Sequence, residues 1–213
     1  MKIRYLGHSC FLFDDGKTRI LTDPFSGIGY EMPDVRADYV TVSHDHFDHN
    51  HVSGVRGVKE IFTRPGKLRA GDVAIKGVAC LHDDAGGRKR GKVVAYTFDF
   101  GGIKVCHLGD LGEAFSEERA AAFGHPDILL IPVGGTYTID AAQAVRYIEA
   151  IRPETVIPMH YKTVECALDI SPLSGFAEAY GKEKFVGPLE TLDTDNIGAY
   201  TGKAVVMEVS RRG

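Results

Sequence analysis

His44-Asp45-His46-Phe47-Asp48-His49-Asn50-His51 places four histidines and two aspartates in eight consecutive residues. Its pattern is His-x-His-x-Asp-His. Neutral imidazole and carboxylate are the donors that Zn²⁺, Mn²⁺ and Fe²⁺ accept. The preceding run Tyr39-Val40-Thr41-Val42-Ser43 is β-branched and apolar and reads as a strand. If that strand continues, His44 and His46 stand at i and i+2 and point to one side. Asp48 and His49 are adjacent and diverge, which suits two neighbouring metals better than one. Taken alone, the segment also reads as a polar, solvated loop, so the rest of the chain decides.

Working outward, strands dominate the first half. Ile3 to Leu6, Phe11 to Phe13 and Thr18 to Thr22 read as short strands, with a hairpin turn at Asp15-Gly16. Glu60 to Thr63, Val73 to Leu81, Val93 to Phe100 and Ile103 to Leu108 continue the pattern. Residues 127–133 form a nearly continuous apolar run, as expected of a central strand covered on both faces. Three helices are predicted later. They are Ser116 to Phe123, Asp140 to Ile151 with Asp140 and Gln143 as a capping box, and Leu173 to Tyr180 ahead of Gly181. On the second helix, Ala141, Val145, Ile148 and Ile151 are expected to line one face. Sheets with helices outside them place ligands at the carboxyl ends of strands. Five predicted strands run into an acid or histidine there: Asp23, His44, His82, Asp110 and His160. Each alone is ordinary, but one sheet edge can gather all five.

Composition narrows the function. The chain has 213 residues, 44% hydrophobic and 25% charged, as in a single globular domain. A net charge of -4 gives no general attraction to nucleic acid. Met1 to Cys10 lacks the apolar core of a signal peptide, and no run reaches membrane-spanning length, so a cytoplasmic protein with no membrane partner is expected. Cys10, Cys80, Cys106 and Cys166 are widely spaced and read as buried free thiols.

At these residues the sequence resembles the metallo-β-lactamase fold superfamily, in the branch of lactonase and phosphodiesterase-like hydrolases that includes ascorbate-6-phosphate lactonase. The resemblance rests on Leu6-Gly7-His8-Ser9, Thr22-Asp23-Pro24, the His44 to His49 motif, His82, His107-Leu108-Gly109-Asp110 and Pro158-Met159-His160-Tyr161, and covers nearly the whole chain. It implies an α+β, four-layer αβ/βα sandwich over residues 1–213 with a binuclear cleft along one edge. It implies that His44, His46 and His82 hold one metal, that Asp48, His49 and His160 hold the other, and that Asp110 bridges them. Asp23 matches an acid that orients the histidine segment. His8 and His107 lie near the site without an assigned role. Asp83 and Asp84 are alternatives to His82 as ligands.

The expected activity is metal-dependent hydrolysis. Two divalent ions, Zn²⁺ foremost and Mn²⁺ or Fe²⁺ as alternatives, would activate a shared water as hydroxide to attack a small, anionic ester, lactone or phosphodiester. Asp48, if loosely held, would also relay a proton to the leaving group. The basic loop 83–92, with Arg88, Lys89, Arg90 and Lys92, would meet an anionic substrate, or else be a solvated hairpin tip. Gly134-Gly135-Thr136-Tyr137, Tyr161 and Lys162 are further pocket candidates. A nuclease on the same fold and a non-hydrolytic metal-binding or redox protein are the competing functions. The small substrate is the expected partner, and a homo-oligomer is left open.

Overall fold

The computed structural model describes residues 1–212. Two sheets form the centre. The first runs in the order Leu192–Asp193, Lys2–Gly7, Cys10–Asp14, Arg19–Thr22, Tyr39–Thr41, Glu60–Phe62. The second runs Phe185–Leu189, Lys203–Met207, Thr155–Met159, Ile128–Pro132, Lys104–His107, Lys92–Asp99, Val73–Leu81, Gly66–Ala70. A short pair, Val35–Arg36 and Val55–Arg56, stands apart. The helices are α1 (Glu117–Phe123), α2 (Ala141–Ile151) and α3 (Leu173–Tyr180). Among the described residues, no helix is long and apolar enough to cross a membrane.

The all-apolar run Ile128–Pro132 shows how the layers hold. Ile128 and Leu130 face the core between the sheets, with Phe11, Phe13, Tyr96 and Phe98. Leu129 and Ile131 face the opposite side, with Ala144, Tyr147, Ile148 and Phe176 of α2 and α3. Both faces are buried, as the sequence predicts. Each such side chain contributes about 1.5–3 kcal/mol by leaving water. The outer face of the first sheet is covered differently. Leu6, Leu12, Leu21 and Val40 pack under Phe25, Ile28, Val35 and Val55, which belong to irregular chain and the short strand pair instead of an α-helix.

The helix ends follow their sequence signals, with one change. Ser116 Oγ accepts from Arg119 N at 3.1 Å, and Asp140 Oδ1 accepts from Gln143 N at 2.9 Å. Such caps contribute about 1 kcal/mol each. The expected capping box is only half formed, because Gln143 Oε1 accepts from Phe115 N at 3.0 Å and so ties α2 to the preceding loop. The buried stripe of α2 is Ala144, Tyr147, Ile148 and Ile151, so Ala141 and Val145 sit at its margin.

Two expectations need larger correction. The strand before the histidines ends at Thr41, and the motif itself is turned: His49 N and Asn50 N both donate to His46 O, at 2.9 Å each. The chain also has strands that the alternation rule passed over: Gly66–Ala70, and in the last third Phe185–Leu189, Leu192–Asp193 and Lys203–Met207. Gly187-Pro188 interrupts one of them, and two residues make up another, so neither carries a period to read.

The topology sets where the site lies. Lys104–His107, Ile128–Pro132 and Thr155–Met159 are parallel neighbours, so their carboxyl ends share one edge. Arg19–Thr22 and Tyr39–Thr41 are also parallel in the facing sheet. Backbone hydrogen bonds join the sheets at this edge: His160 N to His8 O at 2.9 Å, and Val94 N to Ser43 O at 2.9 Å.

Candidate metal centre

Asp110 is the centre of the cluster. Its Oδ2 lies 3.2 Å from His49 Nε2 and 3.2 Å from His160 Nε2. The same oxygen is 3.6 Å from His82 Nε2 and 3.9 Å from His44 Nε2. Asp48 Oδ2 is 3.6 Å from His49 Nε2. His46 is at the exposed rim, its ring centroid 4.4 Å from that of His44 and 5.2 Å from that of His82. All seven residues expected from the sequence as ligands therefore converge. The turned motif, more than the i, i+2 alternation, brings His44 and His46 to one side.

A layer of hydrogen bonds aims these side chains. Asp23 Oδ1 accepts from Ser43 N at 2.7 Å, and its Oδ2 accepts from Ser43 Oγ at 2.6 Å and from His49 Nδ1 at 3.0 Å. The Ser43 hydroxyl gives its proton to Asp23, so Ser43 Oγ accepts from His44 Nδ1–H at 2.9 Å. His44 thereby carries its proton on Nδ1 and presents Nε2 bare toward Asp110, and the Asp23 bond turns His49 Nε2 inward in the same way. His107 makes two structural bonds: Nε2–H donates to Ser9 O at 2.8 Å and Nδ1 accepts from Gly109 N at 3.1 Å. Both its nitrogens face away from the cluster.

Strain marks the same edge. His8, Asp23 and His160 are non-glycine residues at φ of 55°, 41° and 52°. Left-handed backbone is unfavourable for such residues and persists where surroundings over-determine it, commonly at functional sites. Here each one turns a side chain into the cluster as its strand or hairpin ends.

Electrostatics agree with a site built for positive charge. Burial favours the neutral carboxyl of Asp110, but His160 and His49 beside it hold it well below the usual carboxylate range. His49 is disfavoured as a cation by burial, yet Asp110 and Asp23 raise it well above an ordinary histidine. Burial pushes His44 down to about 3, with His49 adding to the effect, and lowers His82. Asp48 resists its burial because His8 bonds to it, and its carboxyl is lowered. Buried His44 Nε2, both nitrogens of His160 and Asp110 Oδ1 have no hydrogen-bond partner. Leaving such atoms unpaired costs about 1–3 kcal/mol each. Imidazole and carboxylate donors with bare lone pairs facing one space fit divalent cations. No thiol takes part, which suits Zn²⁺, Mn²⁺ or Fe²⁺.

The neighbouring loops are settled by geometry. Asp83 does not turn toward the cluster. Its carboxylate accepts from the backbone of Ala85, Gly87, Lys89 and Arg90 at 2.7–2.9 Å and so ties the loop to itself. Asp84 is exposed and paired with Lys89 at 2.9 Å. Tyr161 is buried in the helix-side core, and Lys162 Nζ is bonded to Leu168 O, so neither faces the site. Gly135, Thr136 and Tyr137 line a cavity of about 550 Å³ together with Lys89, Arg90 and Gly112. The Arg90 guanidinium lies 5.2 Å above the Tyr137 ring. His8 gained no role from sequence reasoning, yet its Nε2 is 3.1 Å from Asp48 Oδ2 and 3.2 Å from His49 Nε2. The one sequence signal for it was its place in a Gly-His-Ser corner between two strands.

Comparison with known proteins agrees with this architecture. Residues 2–160 match the family model of the beta-lactamase superfamily domain. A UPF0173 metal-dependent hydrolase of Thermus thermophilus is 32% identical over 194 residues, covering 76% of this chain and 84% of the relative. A second, from Archaeoglobus fulgidus, is 28% identical over 195 residues, covering 76% of this chain and 84% of that protein. Among solved structures, a candidate Zn-dependent hydrolase of the metallo-β-lactamase superfamily from Thermotoga maritima superposes with a TM-score of 0.78 at 36% identity, covering 98% of this chain and 99% of that one. Fold, histidine motif and relatives together make this chain a metal-dependent hydrolase of the metallo-β-lactamase superfamily, within the UPF0173 family.

Proposed function

We propose that residues 1–213 form one binuclear hydrolase domain acting on a small anionic ester, lactone or phosphodiester. In this reading His44, His46 and His82 hold one divalent ion, Asp48, His49 and His160 hold the second, and Asp110 is shared. Zn²⁺ is the first candidate, with Mn²⁺ or Fe²⁺ as alternatives. The observation that carries the reading is Asp110, one buried oxygen within 3.2–3.9 Å of four imidazole nitrogens. A single tetrahedral ion cannot use so many donors.

When bound, the ions supply activation of water near neutral pH and stabilisation of the charge that develops on the scissile group. The chain's own residues do the rest. Asp23 and Ser43 fix the histidine tautomers before substrate arrives. Asp48, with its side chain 13% exposed, stands at the mouth of the cluster and is ionised at neutral pH. It is placed to accept a proton and pass it to the leaving oxygen. The cavity lined by Asp83, next to His82, and by Gly112, two residues past Asp110, is the candidate seat for the body of the substrate. There Arg90, with no carboxylate paired to it among the described residues, meets the anionic group. Lys89 is already engaged by Asp84.

The test is elemental analysis of metal-reconstituted protein, followed by assay against phosphodiester, lactone and ester substrates with and without chelator. Two ions per chain and chelator-sensitive turnover are expected. Asp48→Asn should lower turnover by about 10²–10⁴-fold. Asp110→Ala should lose the ion pair, and two retained ions with full activity would sink the assignment of Asp110.

A further inference from the structure

We infer that His8 is an additional ligand of the second metal, an inference that rests on the binuclear reading above. His8 Nε2, Asp48, His49 and His160 offer four donor atoms that all lie within 4.8 Å of one another. Its Nε2 stands 3.1 Å from Asp48 Oδ2 and 3.2 Å from His49 Nε2. Two donors on one ion at about 2.0–2.1 Å are separated by roughly 3.0–3.4 Å, depending on coordination geometry. The imidazole of His49 gives its Nδ1 proton to Asp23, so two ring nitrogens face each other with at most one proton between them. A cation between them, with Asp48 and His160 around it, uses both lone pairs.

The backbone is arranged to deliver this side chain. His8 sits at φ 55°, and its carbonyl is held from two directions, by His160 N at 2.9 Å and by the Tyr5 hydroxyl at 2.9 Å. The bond from His160 N ties one proposed ligand of this ion to another across the two sheets. Gly7 completes the corner at φ 119°, where a Cβ would come within 2.5 Å of the Tyr30 hydroxyl oxygen. The imidazole itself is buried, its ring centroid 4.2 Å from that of His160.

His8 Nδ1 has no hydrogen-bond partner, a property it shares with His82 and His160. The arrangement makes the two positions unequal. The first has His44, His46, His82 and the shared Asp110. The second has His8, His49, His160, Asp48 and the shared Asp110, five protein donors in all. That exceeds a tetrahedral ion's four and suits an ion of higher coordination number, such as Mn²⁺ or Fe²⁺.

The experiment is chelator competition on full-length wild type, His8→Ala and His8→Gly, each loaded separately with Zn²⁺, Mn²⁺ and Co²⁺, with His160→Ala as the positive control. Glycine accepts the left-handed backbone, so His8→Gly guards against misfolding of the alanine variant. Wild type should hold two ions. If it holds one or none, the binuclear reading fails before His8 is tested. With two ions held, both His8 variants should weaken the second ion by tenfold or more, keep the first, and change the visible absorption of the cobalt-loaded protein. Affinity for the second ion within twofold of wild type, with an unchanged cobalt spectrum, would overturn the proposal and leave His8 as a hydrogen-bond donor to Asp48.

Discussion

Asp23 Oδ2 accepts from His49 Nδ1 at 3.0 Å, and both residues are buried. The same carboxylate grips Ser43, which in turn orients His44. One acid thus aims a donor toward each of the two proposed metal positions. Asp23→Asn keeps the size of the side chain and tolerates the left-handed backbone, but its amide cannot accept all three bonds. Metal affinity should fall by about 10–100-fold, the usual loss when the group orienting a ligand is removed. Chelator competition measures it, and affinity equal to wild type would remove Asp23 from the site.

His107 should behave in the opposite way. His107→Ala leaves Ser9 O and Gly109 N unpaired in the interior. Each loss costs about 1–3 kcal/mol, so the melting temperature should drop by several degrees. Metal content should stay at the wild-type value, and activity should suffer less than in His160→Ala. A lost ion in His107→Ala would redraw the ligand set.

The loop tied by Asp83 makes a prediction about pH. Its carboxyl is lowered to about 2, because although burial opposes the charge, four backbone N–H groups, Arg90's first among them, hold it ionised. An aspartate in the unfolded chain titrates near 4, so the folded value is depressed. The loop's stability is therefore present above about pH 4 and is lost as pH falls from there toward 2. Hydrogen exchange at Ala85, Gly87, Lys89 and Arg90 should accelerate over that window. Asp83→Ala should show the fast exchange already at pH 7, with trypsin cutting at Arg88 to Arg90. Protection that does not change with pH would mean the loop is held by something else.

The loop's cations are unequal, which sharpens the charge expectation. Lys89 is neutralised by Asp84, whereas Arg90 lies over Tyr137 at the cavity. Arg90→Glu should raise KM for an anionic substrate several-fold, with a smaller change in kcat. Arg88→Glu, at an exposed residue that does not line the cavity, should change little. Equal responses for anionic and neutral substrates would leave the loop a solvated tip.

Much of this architecture is legible in the sequence. The apolar run around Leu130 and the cap at Asp140 follow from local pattern, and of the seven convergent residues four stand at strand ends and three within the histidine motif, while their grouping into two metal positions is what the family resemblance implies. Other features were hidden because their causes are not local. His8 reaches the cluster only because the second sheet brings His160 N onto its carbonyl. Ser43 acts through a proton shared between neighbours, which spacing does not encode. Asp83 reads as a ligand by sequence distance from His82, and only the curl of the loop turns it to four amides. The strand around Gly187-Pro188 breaks the alternation that identifies strands.

The proposed donors come from both sheets: His8 and the histidine motif follow strands of the first, and His82, Asp110 and His160 follow strands of the second. The four cysteines are all free, so no disulfide ties the sheets together among the described residues. An ion gripping His49 and His160 would close a loop on the order of 100 residues, comparable to a long-range disulfide contributing about 4.7 kcal/mol in the chain-entropy account. A chelator would then act on this protein as a reductant acts on a disulfide-stapled one. Stripping the ions should lower the melting temperature and speed amide exchange at the ends of both sheets together, well beyond the atoms that touch metal.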